Sequence, residues 1–268
     1  IESRESTISF SDSRLSIVDS RFSEYFCRMI NATIITIGDE LLIGQVVDTN
    51  SAWIAQQLNN IGVWINRRVS VGDVKDEIKK ALDEEASNGD ISIVIMTGGL
   101  GPTADDITKP MLCEYFGGEM IVNDHVLEHV RYLFEKVYRR PGPILDVNLK
   151  QAEVPNVCTV LHNSRGTAPG MWFEKNGKVF VSLPGVPHEM KGLMTDEVIP
   201  KLKNHFIMPV IIHQTILTAG AGESMVANKI ADFENELPKH IKLAYLPNYG
   251  MVRLRLTAIG ENKNALEQ

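Results

Sequence analysis

Apolar residues follow two alternating patterns over the first two thirds of the chain. Short runs rich in β-branched residues, as at 32–37 and 91–96, are typical of strands buried on both faces. Between such runs, apolar residues recur every three or four positions, which indicates helices with one buried face. This alternation predicts βαβ units around a mostly parallel sheet. The predicted strands are 32–37, 63–71, 91–96, 170–174 and 178–183, and the predicted helices are 50–62, a segment capped by Asp73 and ending before Gly89, 107–116, 123–140 and 187–200.

The pattern changes beyond Pro209. Strands are predicted at 210–217, 241–246 and 251–259, with one helix at 224–236, so this part forms a β-α-β-β unit. We therefore expect an α/β domain over 29–203 and a small α+β domain over 204–268. The serine-rich segment 1–28, which precedes Met29, is expected to be a disordered or non-native N-terminal extension.

Composition narrows the class of protein. The 268 residues carry a formal net charge of -7, which argues against a dedicated nucleic-acid binder, because such proteins normally present a basic face. No apolar run reaches the roughly 20 residues that cross a bilayer. Three cysteines without a CxxC pair are typical of reduced thiols, so we expect a cytoplasmic protein. From the charge and the length of the apolar runs, we expect it to contact neither nucleic acid nor membrane.

The strongest local feature is a glycine-rich loop, 97–103, between a predicted buried strand and a predicted helix. Its glycines allow the backbone to approach a ligand closely, and the N-terminus of the next helix attracts anions. It is neither a Walker A motif nor a GxGxxG fingerprint. The loop predicts binding of a phosphorylated, nucleotide-like molecule, although a tight strand-to-helix turn explains the glycines equally well. Its sequence is Thr97-Gly98-Gly99-Leu100-Gly101-Pro102-Thr103.

Two acidic residues, Asp105 and Asp106, follow this loop directly. Either could cap the next helix, which is a purely structural role. Two carboxylates beside a phosphate would repel it unless a cation lay between them, and Mg²⁺ is commonly held by one or two carboxylates plus phosphate oxygens. The pair therefore predicts a divalent metal site (Mg, Mn or Co). A second acidic loop, 38–45, follows the first strand and is expected to line the same edge of the sheet, although a solvated capping loop remains the alternative.

Several motifs in family order make the sequence resemble the competence/damage-inducible CinA family, over residues 29–268. The chain is similar to its N-terminal MoaB/Mog-type domain and the small domain that follows. The matching segments are Gly38-Asp39-Glu40-Leu41-Leu42-Ile43-Gly44-Gln45, the glycine-rich loop with Asp105, Asp106 and Thr108, Asn148-Leu149-Lys150-Gln151-Ala152, Gly166-Thr167-Ala168-Pro169-Gly170-Met171, Leu183-Pro184-Gly185-Val186-Pro187 and Gly220-Ala221-Gly222-Glu223-Ser224.

The resemblance implies a three-layer α/β fold with a mostly parallel sheet, and a homodimer. It also implies metal-dependent hydrolysis of ADP-ribose to AMP and ribose 5-phosphate. Deamidation of nicotinamide mononucleotide, a further activity of the family, is expected to need a C-terminal domain beyond these residues. The family often has cationic residues where Ala104 and Leu149 stand, and a proline at Val186.

Combined with the chemistry of phosphoanhydride hydrolysis, these motifs assign roles to individual residues. Asp105 and Asp106 are predicted to hold the metal, and Glu40 to act as a second metal contact or general base. A non-hydrolytic molybdopterin- or nucleotide-binding module is the alternative. The residues predicted to bind substrate or phosphate are Gly38, Thr97, Gly98, Gly99, Gly101, Thr103, Asn148, Lys150, Thr167 and Gly185.

Overall fold

The computed structural model describes residues 29–103, 106–139 and 142–267. Their contacts separate them into two compact units, one ending at Ile211 and the other beginning at Ile212. Three of the sequence predictions concern residues that lie outside the described ones: Asp105, Ala104 and the segment 1–28.

The first unit alternates strands and helices, as the hydrophobic pattern predicts. Its strands are β1 (Ile30–Ile37), β2 (Val63–Val71), β3 (Ile93–Thr97), β4 (Met120–Val122), β5 (Glu153–Pro155), β6 (Thr159–Leu161), β7 (Gly170–Lys175) and β8 (Lys178–Leu183). Its helices are α1 (Asp39–Leu42), α2 (Thr49–Asn60), α3 (Lys75–Ser87), α4 (Thr108–Tyr115), α5 (Asp124–Tyr132), α6 (Asp146–Leu149), α7 (Pro187–Leu193) and α8 (Ile199–His205).

A six-stranded sheet in the order β2-β1-β3-β8-β7-β6 forms the centre of this unit. Strands β2, β1, β3 and β8 run parallel, whereas β7 is antiparallel to both of its neighbours. Successive β1 residues pack on opposite faces: Ile34 joins a cluster that includes Ile54 and Leu58 of α2, and Ile35 joins one that includes Ile78 of α3. Each such side chain contributes about 2 kcal/mol when it is fully buried. Helices cover both faces of the sheet, which confirms the predicted three-layer, mostly parallel α/β class.

Three helix boundaries differ from the sequence prediction. The helix predicted to end near Pro200 continues to His205, because a wide turn over Met194–Val198 precedes α8 and places the proline in the first turn of that helix, where a missing N–H costs little. Asp73 does not cap α3; Val74 occupies that position. Helix α2 runs from Thr49 to Asn60 instead of over the predicted 50–62, and it is capped by Asp48, whose carboxylate accepts from the Ser51 amide.

The sequence analysis did not predict three strands, β4, β5 and β6; the first two form a separate antiparallel pair, and β6 is an edge strand of the main sheet. Each is three residues long, too short to show a periodic pattern. The helix predicted at 123–140 ends as α5 at Tyr132 and continues as a wide turn over Leu133–Val137, while its predicted last residue lies outside the described residues.

The second unit contains a three-stranded sheet in the order β10-β11-β9. Its small core combines Val226, Val252 and Leu254. The predicted helix at 224–236 is two short helices that meet at Ile230. Among the described residues, no helix has both the length and the apolar character that crossing a bilayer requires. The elements are β9 (Val210–Ala219), which begins two residues before the boundary at Ile212, α9 (Glu223–Lys229), α10 (Ala231–Asn235), β10 (Ile241–Asn248), β11 (Met251–Gly260) and α11 (Lys263–Leu266).

Candidate functional site

The carboxyl ends of the parallel strands meet at one edge of the first unit. From β1 the chain passes to β2 on one side, and it then crosses through α3 to β3 on the other side of β1. Connections that leave neighbouring strands in opposite directions open a crevice between them, which is where open α/β sheets bind ligands. A cleft of about 410 Å³ lies at this point, lined by the loops that follow β1, β2, β3 and β8.

The glycine-rich loop lies directly on its neighbours. Gly98 has φ +119°, and a Cβ there would overlap the carbonyl oxygen of Ile37 at the end of β1. Its amide donates to the Leu183 carbonyl at 3.0 Å, which ties the loop to β8. Gly99 has φ +63°, and a Cβ there would overlap the hydroxyl of Thr108. Thr108 is fully buried, and its hydroxyl has no hydrogen-bond partner among the described atoms. Glycine is therefore required here by close packing as well as by backbone conformation.

Asp106 braces the same loop from inside. Its carboxylate accepts from the Gly101 amide at 2.7 Å, the Thr103 amide at 2.8 Å and the Thr103 hydroxyl at 2.6 Å. While these bonds persist, neither amide is free to bind a phosphate, although the carboxylate keeps lone pairs for a cation. The sequence analysis expected Gly101 and Thr103 to contact phosphate, and the structure places both against Asp106 instead.

Three further carboxylates lie on the β1 and β2 side: those of Glu40 and Asp73 line the cleft, and that of Asp39 contacts the Asp73 backbone. Asp39 and Asp73 accept from each other's backbone amides, at 3.2 and 3.1 Å, and so lock the two loops together. The Glu40 carboxylate lies over Gly38, 2.6 Å from where a Cβ would stand. Burial raises the pKa of Asp73, and the nearby charges of Asp39, Glu40 and Asp106 raise it further, against the hydrogen bond from Asp39. Negative charge is thus concentrated here.

The opposite wall carries one more carboxylate, that of Glu189. Asn163, which is 4% exposed, donates to this carboxylate at 2.6 Å and to the Ala168 carbonyl at 2.8 Å. Gly166 makes room for the Glu189 side chain. Burial raises the pKa of Glu189, while the bond from Asn163 opposes that rise.

The cleft brings together most of the site residues that the sequence predicts. Thr97 is an exception, since it is buried and its hydroxyl donates to the Pro184 carbonyl at 2.9 Å. Thr103 and Lys150 line a separate pocket of about 180 Å³, and Asn148 is not one of the described residues that line either cavity. The predicted residues that line the cleft are Gly38, Glu40, Gly98, Gly99, Gly101, Asp106, Thr167 and Gly185.

The sequence analysis did not assign Asp73, Gln151 or Glu189 to the site, although all three line the cleft. Asp73 carries a usable signal, because Gly72-Asp73 repeats after β2 the Gly38-Asp39 pair that follows β1. Within the described residues, no three His, Cys, Asp or Glu side chains are grouped so as to hold a metal ion. The metal site therefore remains a prediction.

Two family patterns match the sequence. Residues 33–204 match the probable molybdopterin binding domain, and residues 213–268 match the damage-inducible protein CinA KH domain. A CinA-like protein of Flavobacterium psychrophilum is 53% identical over 238 residues, and one of Cytophaga hutchinsonii is 51% identical over the same length. Each alignment covers 89% of this chain and 56% of the relative, so the chain spans about half the length of these relatives.

Among solved structures, the CinA protein of Thermoplasma acidophilum, described as having unknown function, is similar with 31% identity and a TM-score of 0.58. The match covers 67% of this chain and all of that protein. The chain therefore belongs to the CinA-like proteins, with a molybdopterin-binding-type α/β domain followed by a CinA KH domain.

Proposed function

We propose that the cleft binds a nucleotide diphosphate and hydrolyses its diphosphate bridge in the presence of a divalent cation, with ADP-ribose as substrate and AMP and ribose 5-phosphate as products. One observation carries the proposal. At the switch point between β1 and β3, closely packed glycine backbone lies beside the carboxylates of Glu40, Asp73 and Asp106. Phosphoryl transfer needs groups that position the phosphates and neutralise their charge, and this arrangement offers the first directly and the second through a cation.

Carboxylate oxygens are the kind of ligand that a divalent ion such as Mg²⁺ takes, and it is commonly bound by one or two carboxylates together with substrate phosphates. Asp106 and Glu40 are the described residues that would hold it, with Asp105 as a further predicted ligand. When bound, the ion neutralises charge on the diphosphate and acidifies coordinated water. The crowding that raises the pKa of Asp73 supports this assignment, because a cation relieves the repulsion among these carboxylates.

The residues of the chain supply the remaining parts of the reaction. Water adds to one phosphorus, the bridging P–O bond breaks, and the other phosphate leaves. Glu40 takes the proton from the attacking water as general base. The backbone at Gly98 and Gly99 and the loop at Gly185 confine the diphosphate, and Lys150, in the neighbouring pocket, attracts the negative charge of that diphosphate.

Glu40→Gln tests the proposal more cleanly than Asp106→Ala, because removing the Asp106 carboxylate also frees the donors of Gly101 and Thr103. We expect wild-type chain with Mg²⁺, Mn²⁺ or Co²⁺ to release AMP from ADP-ribose, and Glu40→Gln to be slower by about a hundredfold or more. Glu135→Gln, at an exposed glutamate outside the cleft lining, is the matched control and should leave the rate unchanged. Equal rates in all three proteins would refute the role of Glu40.

A second candidate is a molybdopterin- or nucleotide-binding module without hydrolysis. The family description supports it, as does the engagement of Asp106 with its own loop. This candidate predicts that ADP-ribose raises the melting temperature of the chain while no AMP forms with any of the three ions. The predicted homodimer and cytoplasmic location also remain proposals, and sedimentation equilibrium tests the first of them.

A further inference from the structure

A buried lysine, Lys109, lies on α4 behind the glycine-rich loop. Its side chain is among the buried charged groups, with the residue 7% exposed. The ammonium donates to the backbone carbonyl of Gln151 at 3.1 Å and to the side-chain oxygen of the same residue at 3.3 Å. Gln151 is 2% exposed, and its Nε2 donates to the Leu100 carbonyl at 3.2 Å.

This chain of bonds ends on one peptide group in the middle of the loop. Gln151 holds the carbonyl of the Leu100–Gly101 peptide, and Asp106 accepts from its N–H at 2.7 Å. This peptide turns about ψ of Leu100 and φ of Gly101, and the glycine leaves the second of these rotations little restricted. Hydrogen bonds at both its C=O and its N–H fix the orientation of this peptide, and that orientation determines how the loop backbone faces the cleft.

Lys109 determines which end of the Gln151 amide faces the loop. An ammonium group only donates hydrogen bonds, so it selects the amide oxygen and leaves the NH₂ group for the Leu100 carbonyl. Without the lysine, the amide could turn and direct its oxygen at that carbonyl, which would repel it. A neutral side chain of similar length would fill the same space but would not choose between the two orientations.

The lysine is retained against a desolvation cost. Burial lowers the pKa of Lys109 to about 8, while the charges of Glu153 and Asp106 oppose that shift. A methionine of similar size would avoid the cost, since burying an ammonium is unfavourable unless its hydrogen bonds and neighbouring charges compensate. The hydrogen bonds of Lys109 to Gln151 indicate that the lysine contributes to the orientation of the Gln151 side chain.

We propose that Lys109 is a positioning residue: through Gln151 it fixes the Leu100–Gly101 peptide, and so holds the glycine-rich loop in the form that binds the substrate diphosphate. The last part rests on the proposed function. The first part concerns the ligand-free chain and can be measured without any substrate.

Hydrogen–deuterium exchange of the whole chain, read on peptides covering 97–103, tests the first part. Lys109→Met and Gln151→Met should each speed exchange there by about tenfold, the worth of one buried hydrogen bond. The double variant should be no faster than either single one, because both act on the same peptide. Leu202→Ala, a core change on α8 in the hydrophobic cluster on the other face of the sheet from Leu100, is the control for general destabilisation and should not loosen the loop selectively.

Hydrolysis of ADP-ribose tests the second part. Both single variants and the double variant should lose kcat/KM by the same factor, while Leu202→Ala keeps the wild-type value once folded. Unchanged exchange at 97–103, or additive effects in the double variant, would overturn the positioning role even in an active enzyme. If exchange is faster in the variants but the wild-type chain does not hydrolyse ADP-ribose, Lys109 still positions the Leu100–Gly101 peptide, and the proposed function is overturned instead.

Discussion

Gly98 leaves no room for a side chain, so Gly98→Ala is the most informative single change in the loop. An alanine Cβ would overlap the Ile37 carbonyl oxygen and stand 3.0 Å from its carbonyl carbon. At φ +119° the left-handed strain costs about 1–2 kcal/mol, and displacing backbone in a packed site adds about 1–3 kcal/mol. Alanine also lowers the conformational entropy of the unfolded chain, which offsets about 0.4–1 kcal/mol of this loss in stability. The free energy of unfolding should therefore fall by about 3 kcal/mol.

Urea unfolding followed by tryptophan fluorescence measures this loss, because all three tryptophans, Trp53, Trp64 and Trp172, lie in the first unit. Gly117→Ala is the matched control, since Gly117 has φ +73° but no atom within 4 Å of the position that an added Cβ would take. It should lose only about 1 kcal/mol, from strain alone. If the two variants lose the same stability, the loop does not pack on Ile37 as described.

Two further predictions concern buried polar groups. Asn163→Leu removes the donor to the Ala168 carbonyl and the acceptor of the Arg165 amide, so the free energy of unfolding in urea should fall by about 2–4 kcal/mol, and a loss below about 0.5 kcal/mol would contradict this network. The second concerns pH, because the pKa of Lys109 in the folded chain, about 8, lies below its value in the unfolded chain. Between about pH 8 and 10 the unfolded chain therefore binds more protons than the folded one. The free energy of unfolding of the wild type should rise over this range relative to that of Lys109→Met. Urea midpoints at pH 7 and 9.5 measure the difference, and a difference that stays flat would show that Lys109 is not desolvated.

Local signals in the sequence were sufficient for five of the six strands in the sheet that carries the site, and only the three-residue edge strand β6 was missed. The predicted strand 63–71 coincides with β2, because β-branched residues at positions 63, 65, 69 and 71 form an alternating pattern that needs no distant information to be recognised. The hairpin of β7 and β8 turns at Asn176-Gly177, where φ is +54° and +75°, as a tight primed turn requires. These elements bring four strand ends to one edge, which is why most of the predicted site residues line one cleft.

Interactions between distant segments could not be predicted in the same way. The bonds between Asp39 and Asp73 join two loops 34 residues apart, and nothing in either segment specifies the other. Similarly, the pattern that suggests Asp106 as a metal ligand equally suits its observed role as a brace for Thr103. Pro200, predicted to mark a helix end, instead lies in the first turn of α8, and the sequence does not distinguish these two positions for a proline.

The central claim is that the cleft at the carboxyl edge of the sheet holds the diphosphate, and a map of amide protection tests it most directly. Hydrogen–deuterium exchange is compared for the chain with Mg²⁺ alone and with Mg²⁺ plus ADP-ribose at a concentration that saturates binding. The account predicts protection at 38–41, 97–103 and 184–189, the loops that line the cleft, and no change in the second unit. Protection confined to other segments, or none despite measured binding, would contradict it.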